Sequence, residues 1–162
     1  MSKIEYKPIG LIHSPFKECK GTPIQGVSAG DTEGIVEVFP EYKAGLKDLD
    51  GFSHIILIYH FHLSGRFSLR VKPYLDNRLR GLFATRAPSR PNPIGLTIVQ
   101  LVKIESGNLY IRQLDVVDGT PLLDIKPYVP EFDAQEIRKT GWLESQIHKL
   151  HQTKNDSRFS RK

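Results

Sequence analysis

The chain has 162 residues, of which 39 % are hydrophobic and 25 % charged, with a formal net charge of +5. That length suits one domain with a core of its own, and the lone cysteine, Cys19, excludes an intrachain disulfide framework or a thiolate zinc site. The start lacks a long apolar stretch and the longest apolar run, 55–59, has the length of a strand. Neither a secretory signal nor a membrane span is therefore expected, and the cytoplasm is the expected compartment.

Taken in order, the elements are mostly strands. Residues 4–12 alternate loosely and stop at the turn signal Ser14-Pro15. A glycine-rich loop follows over 21–30, suited equally to wrapping a ligand and to a plain surface connection. A strand is predicted at 34–39, then a short helical or turn segment at 41–49 with Tyr42, Leu46 and Leu49 on one side. Residues 53–62, rich in isoleucine and aromatics, make the strongest strand signal. Further strands are predicted at 68–74, 80–85, 96–103, 109–114 and 122–126, with Ser106-Gly107-Asn108 as a tight hairpin. A helix is expected from Gly141-Trp142 onward, because Leu143, Ile147, Leu150 and His151 follow helical spacing. Many short, closely spaced strands point to a mainly β fold, a barrel or a sandwich. No glycine loop connects a strand to a helix, so neither a dinucleotide fingerprint nor a phosphate loop is present.

Charge is unevenly spread. Between Arg66 and Arg90 stand seven basic residues and one acid, Asp76, so this stretch carries +6 and the rest of the chain −1. Such a field attracts RNA or a small anion; a solvated basic face is the alternative. Residues 86–95 hold three prolines around Arg86, Arg90 and Asn92, which makes a stiff loop with arginines at fixed positions. A second polar cluster comprises Asp115, Asp118-Gly119, Asp124, Lys126 and Tyr128. Asp124 and Lys126, two apart on a strand, share a face, and a structural ion pair is the plain alternative to a role in chemistry. His54, His60 and His62 share parity, but without nearby cysteines or a His-Glu motif no metal site is expected.

Five segments resemble the TsaA/TrmO family. They are Tyr6-Lys-Pro-Ile-Gly-Leu-Ile-His-Ser-Pro15, Leu49-Asp-Gly-Phe-Ser-His54, Gly81-Leu-Phe-Ala-Thr-Arg86, Arg90-Pro-Asn-Pro-Ile-Gly95 and Leu114-Asp-Val-Val-Asp-Gly-Thr-Pro-Leu-Leu-Asp-Ile-Lys-Pro-Tyr128. The resemblance runs in order over about residues 4–130. It implies a β-barrel core; with the helix expected from spacing, a single domain is expected over 1–152, followed by a basic, flexible tail at 153–162. It implies a homodimeric S-adenosylmethionine-dependent methyltransferase acting on N6 of threonylcarbamoyladenosine, the purine after the tRNA anticodon. Longer bacterial members carry an extra C-terminal domain. This sequence stops after one predicted helix and a basic tail, which leaves its own basic surface, a partner chain or a different substrate to take that domain's place.

Carried over by motif, the cofactor positions are Gln25, Gly26, His62, Leu63, Arg86, Leu96, Asp115, Val116, Val117 and Asp118. Leu63, Leu96, Val116 and Val117 offer an apolar wall for the adenosine, and the Arg86 loop suits the charged methionine tail. The acylated acceptor nitrogen must lose a proton, for which Asp118, Asp124 and Tyr128 are the candidate catalytic residues, Asp118 foremost. The tRNA backbone is expected on Arg66, Arg70, Lys72, Arg78 and Arg90. Two alternatives stand beside this reading: a methyltransferase for a small anionic molecule, and a non-catalytic RNA-binding β-barrel.

Overall fold

Six antiparallel strands close on themselves in the computed structural model, which describes residues 3–161. The strands are β1 (Gly10–His13), β2 (Glu33–Val38), β3 (His54–His60), β6 (Ile94–Glu105), β7 (Asn108–Arg112) and β8 (Thr120–Pro127), in the order β1-β2-β7-β6-β3-β8. Pairing of β1 with both β2 and β8 closes the barrel and leaves no edge along it. The expected β-barrel is therefore the observed fold.

Alternation builds the core. In β3, Ile55, Leu57 and Tyr59 point inward and are buried, while Ile56 and Ile58 between them are half-buried on the outer wall. They meet Ile12, Val36, Val99, Leu109 and Ile111 from the other strands. The β6–β7 connection is a two-residue turn in which Ser106 (φ 54°) and Gly107 (φ 86°) are both left-handed, the geometry that matches strand twist. β8 carries a register shift opposite Ile58 and Tyr59, where Asp124 and Leu122 are the respective partners.

Between β3 and β6 the chain leaves the barrel to form a small lobe. It holds the short ladder of β4 (Arg70–Val71) with β5 (Arg80–Gly81) and a second core of Val71, Leu82 and Ala87. The strands expected at 68–74 and 80–85 shrink to these two-residue pieces, because a 3-10 turn, Leu82–Ala84, ends the second.

The predicted C-terminal helix is not formed. After a single α-helical turn, α1 (Pro130–Asp133), the segment makes two 3-10 turns, Gly141–Ser145 and Ile147–Lys149. Of its apolar positions only Leu150 is buried, while Ile147 is 50 % exposed, so no continuous apolar face packs to support a helix. The tail, expected to fray, is hydrogen-bonded to the barrel and the lobe instead. Asn155 exchanges backbone bonds with Gly21 and Thr22, and Phe159 O accepts from Gly65 N at 2.8 Å. Among the described residues no helix is long and apolar enough to cross a membrane.

Candidate active site

A pocket of about 280 Å3 opens where the glycine-rich loop, the end of β3, the proline-arginine loop and the β7–β8 connection meet. Each contributes for a local reason. β3 delivers Tyr59 on its inward parity and then runs out into Phe61, His62 and Leu63. The stiff loop is held by Arg90, whose Nη1 donates to Thr85 O (2.9 Å) and Ala87 O (3.2 Å), and it leaves Arg86 at the rim. Arg86 Nη1 donates to Gln25 Oε1 at 3.0 Å and so ties this loop to the glycine-rich one. Gly95 begins the wall on β6: a Cβ there would lie 2.7 Å from Phe61 Cζ and closer still to the Tyr59 ring, so only glycine lets these aromatics seat.

The electrostatic centre is Asp115. Its Oδ1 is buried and has no hydrogen-bond partner among the described residues. Burial pushes the carboxyl up from its ordinary 3.8 to about 6, against a hydrogen bond from Thr97 and the Arg86 charge, which hold it down. Tyr59 beside it is pushed well above the usual phenol value, first by burial and then by the Asp115 charge. His62 is lowered from 6.5 by burial, by His60 and by Arg161, which keeps it neutral at pH 7. The Thr120 hydroxyl donates to Val117 O at 2.7 Å, and its oxygen lies 3.4 Å from His62 Nδ1. With its own proton on Val117 O, that oxygen can meet the ring only as an acceptor, which favours the tautomer with the proton on Nδ1 and the lone pair on Nε2.

Most of the expected cofactor positions come together here. Gln25, Arg86, Asp115 and His62 supply the polar lining, and Leu63, Leu96, Val116 and Val117 the apolar one. Gly26 does not line the pocket. It packs against β6, where an added Cβ would meet Thr97 Oγ1 at 2.9 Å, and it sets how closely the glycine-rich loop approaches.

The three expected catalytic residues lie elsewhere. Asp118 lines a separate cleft with His13 and Lys17, and its carboxylate accepts from Ser14 N (2.9 Å) and Lys17 Nζ (2.7 Å). Those bonds, Lys17 foremost, hold its carboxyl below the ordinary range. Asp124 pairs with Lys126 at 2.8 Å along its own strand. The Tyr128 backbone bonds to His54 O at 3.1 Å, and its side chain is outside the pocket.

Of the basic residues, Arg66, Arg70, Lys72 and Arg78 are exposed on or beside the lobe, in company with exposed Phe67 and Phe83. Arg90 is spent on loop carbonyls and lies over the Phe83 ring at 5.7 Å. Sequence reading missed Tyr59 and Phe61, whose signal was strand parity, and Asn155 and Phe159, which the tail brings in. Phe159 is the one aromatic residue in the polar run after 153. Among the described residues no cluster of three His, Cys, Asp or Glu side chains gathers.

A closed antiparallel barrel with a polar-centred pocket on its flank defines a β-barrel ligand-binding domain, distinct from doubly wound nucleotide folds. The pattern of the tRNA-methyltransferase O N-terminal domain matches residues 11–134, and the chain belongs to that family. It is 59 % identical over 154 residues, 95 % of this chain and 84 % of the other, to a probable S-adenosyl-L-methionine-binding protein of Pyrococcus abyssi. With human tRNA (adenine(37)-N6)-methyltransferase it shares 36 % identity over 80 % of this chain, spanning 31 % of the human protein. The crystal structure of TrmO from Pseudomonas aeruginosa superposes with a TM-score of 0.72 at 36 % identity, covering 87 % of this chain and 63 % of that one.

Proposed function

We propose that this chain is an S-adenosylmethionine-dependent tRNA methyltransferase whose target is N6 of threonylcarbamoyladenosine after the anticodon. Family membership and the relatives' activities support the class. The observation that carries the site is the orphaned Asp115 Oδ1. A buried carboxylate oxygen without a donor costs about 1–3 kcal/mol, and a ligand hydroxyl or ammonium group offsets it. The residues fit the cofactor on that count, with Leu96, Val116 and Val117 against the adenine and Arg86 for the carboxylate.

When bound, S-adenosylmethionine supplies an electrophilic methyl group. The chain's own part is placement. The proline-stiffened loop, the Gly95 close approach and the β3 aromatics fix the pocket's shape, and orientation of this kind supplies up to roughly 7–11 kcal/mol of a barrel-held reaction's barrier. His62 Nε2, neutral and in the pocket, takes the proton from the acceptor nitrogen. Asp118, Asp124 and Tyr128 keep structural roles in this reading. The exposed arginines of the lobe hold the phosphate backbone of tRNA, and the cytoplasm is the compartment proposed for that work. The exposed Ile98 and Val102 on β6, next to the pocket-lining Ile94 and Leu96, form the face assigned to a second copy. A wild-type protein that light scattering finds monomeric at assay concentration would refute the homodimer.

The test incubates the protein with labelled cofactor and total tRNA from a strain lacking the family enzyme. Nucleoside analysis should find the label in the methylated form of threonylcarbamoyladenosine. Label confined to another nucleoside, or absent from tRNA while the cofactor still binds, would overturn the substrate.

A further inference from the structure

Residues 153–161 run as a strap along the pocket, and three of them, Asn155, Phe159 and Ser160, line it. One end of the strap pairs with the glycine-rich loop. Pro23 and Lys154 form an isolated bridge, Asn155 N donates to Thr22 O (2.9 Å), and Gly21 N donates to Asn155 O (2.7 Å). The other end pairs with the loop that carries His62 and Leu63. Ser64 and Ser160 form a second bridge, and Arg161 N donates to Leu63 O at 3.0 Å. In the middle, Phe159 O also accepts from Ser89 Oγ (2.8 Å) on the proline-arginine loop. One segment thus joins three of the loops that build the pocket.

All but the Ser89 tie are backbone bonds of the kind an edge strand makes. Side-chain anchoring is concentrated in few residues. Phe159 sits edge-on to Tyr74 (5.1 Å, 83°) and against the second core, and Arg158 caps Pro73 O at 3.0 Å. Asn155 Oδ1 accepts from Tyr74 Oη and from Ser157 N, both at 2.8 Å, which orients its amide group and leaves Nδ2 as a donor beside the pocket.

We infer that this strap is a closing wall of the cofactor pocket, with Phe159 and Asn155 as cofactor-positioning residues. It rests on the cofactor reading given above. A ligand that touches Phe159 and Asn155 favours the docked strap, and by linkage the docked strap favours the ligand to the same degree.

Two measurements on the full chain test it: titration calorimetry with S-adenosylmethionine, and amide hydrogen exchange with and without it. Phe159→Ala should bind about tenfold more weakly, equivalent to about 1.4 kcal/mol. Phe159→Leu, which keeps apolar bulk, should recover most of that loss. In the unaltered protein, saturating cofactor should slow exchange at the Gly21, Asn155, Gly65 and Arg161 amides, whose bonds hold the strap. Wild-type affinity in Phe159→Ala, or exchange at those amides untouched by cofactor, would overturn the inference while leaving the pocket's assignment intact. No saturable heat with the wild type would overturn that assignment, and the inference with it. Should Phe159→Ala not fold, Phe159→Leu and the exchange measurement decide the matter.

Discussion

Replacing Asp115 with asparagine should strengthen the fold and weaken the site, by opposite routes from one cause. The carboxyl is pushed from 3.8 to about 6 by burial. Two units at about 1.4 kcal/mol each make about 3 kcal/mol of differential interaction between its two protonation states. The folded chain holds this proton more tightly than the unfolded one. The contribution to stability is therefore fully present below pH 3.8 and lost as pH rises through about 6. Asparagine does not titrate, so the stability of Asp115→Asn relative to wild type should rise by about 2–3 kcal/mol between pH 4 and 8. Urea denaturation of both proteins across that range, followed by circular dichroism, reads the difference directly, and other titrating groups cancel in it. Calorimetry at pH 8 should show weaker cofactor binding in the same variant, since a charge-assisted hydrogen bond becomes a neutral one. Parallel pH profiles would refute the burial cost of the charge; unchanged cofactor affinity would refute its role as the ligand's acceptor.

Other outcomes follow from the same geometry. His62→Gln should lower kcat more than cofactor affinity. In the wild type at saturating cofactor, the acid limb of kcat/KM for tRNA should lie below the ordinary imidazole value, in the direction in which His62 is shifted; an acid limb still present in the variant would exclude His62 as its source. Charge reversal of Arg66 and Arg70 together should weaken tRNA binding and reduce the slope of log K against log salt by roughly 0.7–0.9 per lost phosphate contact, and an unchanged slope removes them from the interface. Asp118→Ala, which loses the bonds to Ser14 and Lys17, should cost about 1–2 kcal/mol of stability and leave cofactor affinity alone; a loss of affinity measured by calorimetry would restore Asp118 to the site.

Much of the barrel was written in local pattern. The alternation of Ile55, Leu57 and Tyr59, the Ser106-Gly107 turn and the strands around it depend on neighbours within a few residues, so a linear reading finds them. The proline-arginine loop was legible for the same reason, because stiffness is a property of the covalent chain. The motif resemblance located Arg86, Leu96 and residues 115–117, which the structure gathers in one pocket. The helix predicted from Gly141 failed because spacing alone cannot say whether an apolar face finds a partner, and here only Leu150 does.

The choice among aspartates belonged to tertiary structure. Asp115 and Asp118 stand three apart in the same motif with the same chemistry, yet one has a carboxyl oxygen buried without a partner and the other gains Lys17 and Ser14 from a distant turn. The tail is the sharper case. Its composition is that of a solvated segment, and only the placement of Tyr74, Ser89 and the loop edges at 21–22 and 63–65 gives its backbone and its single phenylalanine somewhere to bind. Sequence by itself determined most of the barrel's strands, the stiff loop and the family. Which carboxylate is buried, and that the tail closes the pocket, depended on contacts between residues far apart in the chain, whose meeting no local pattern records.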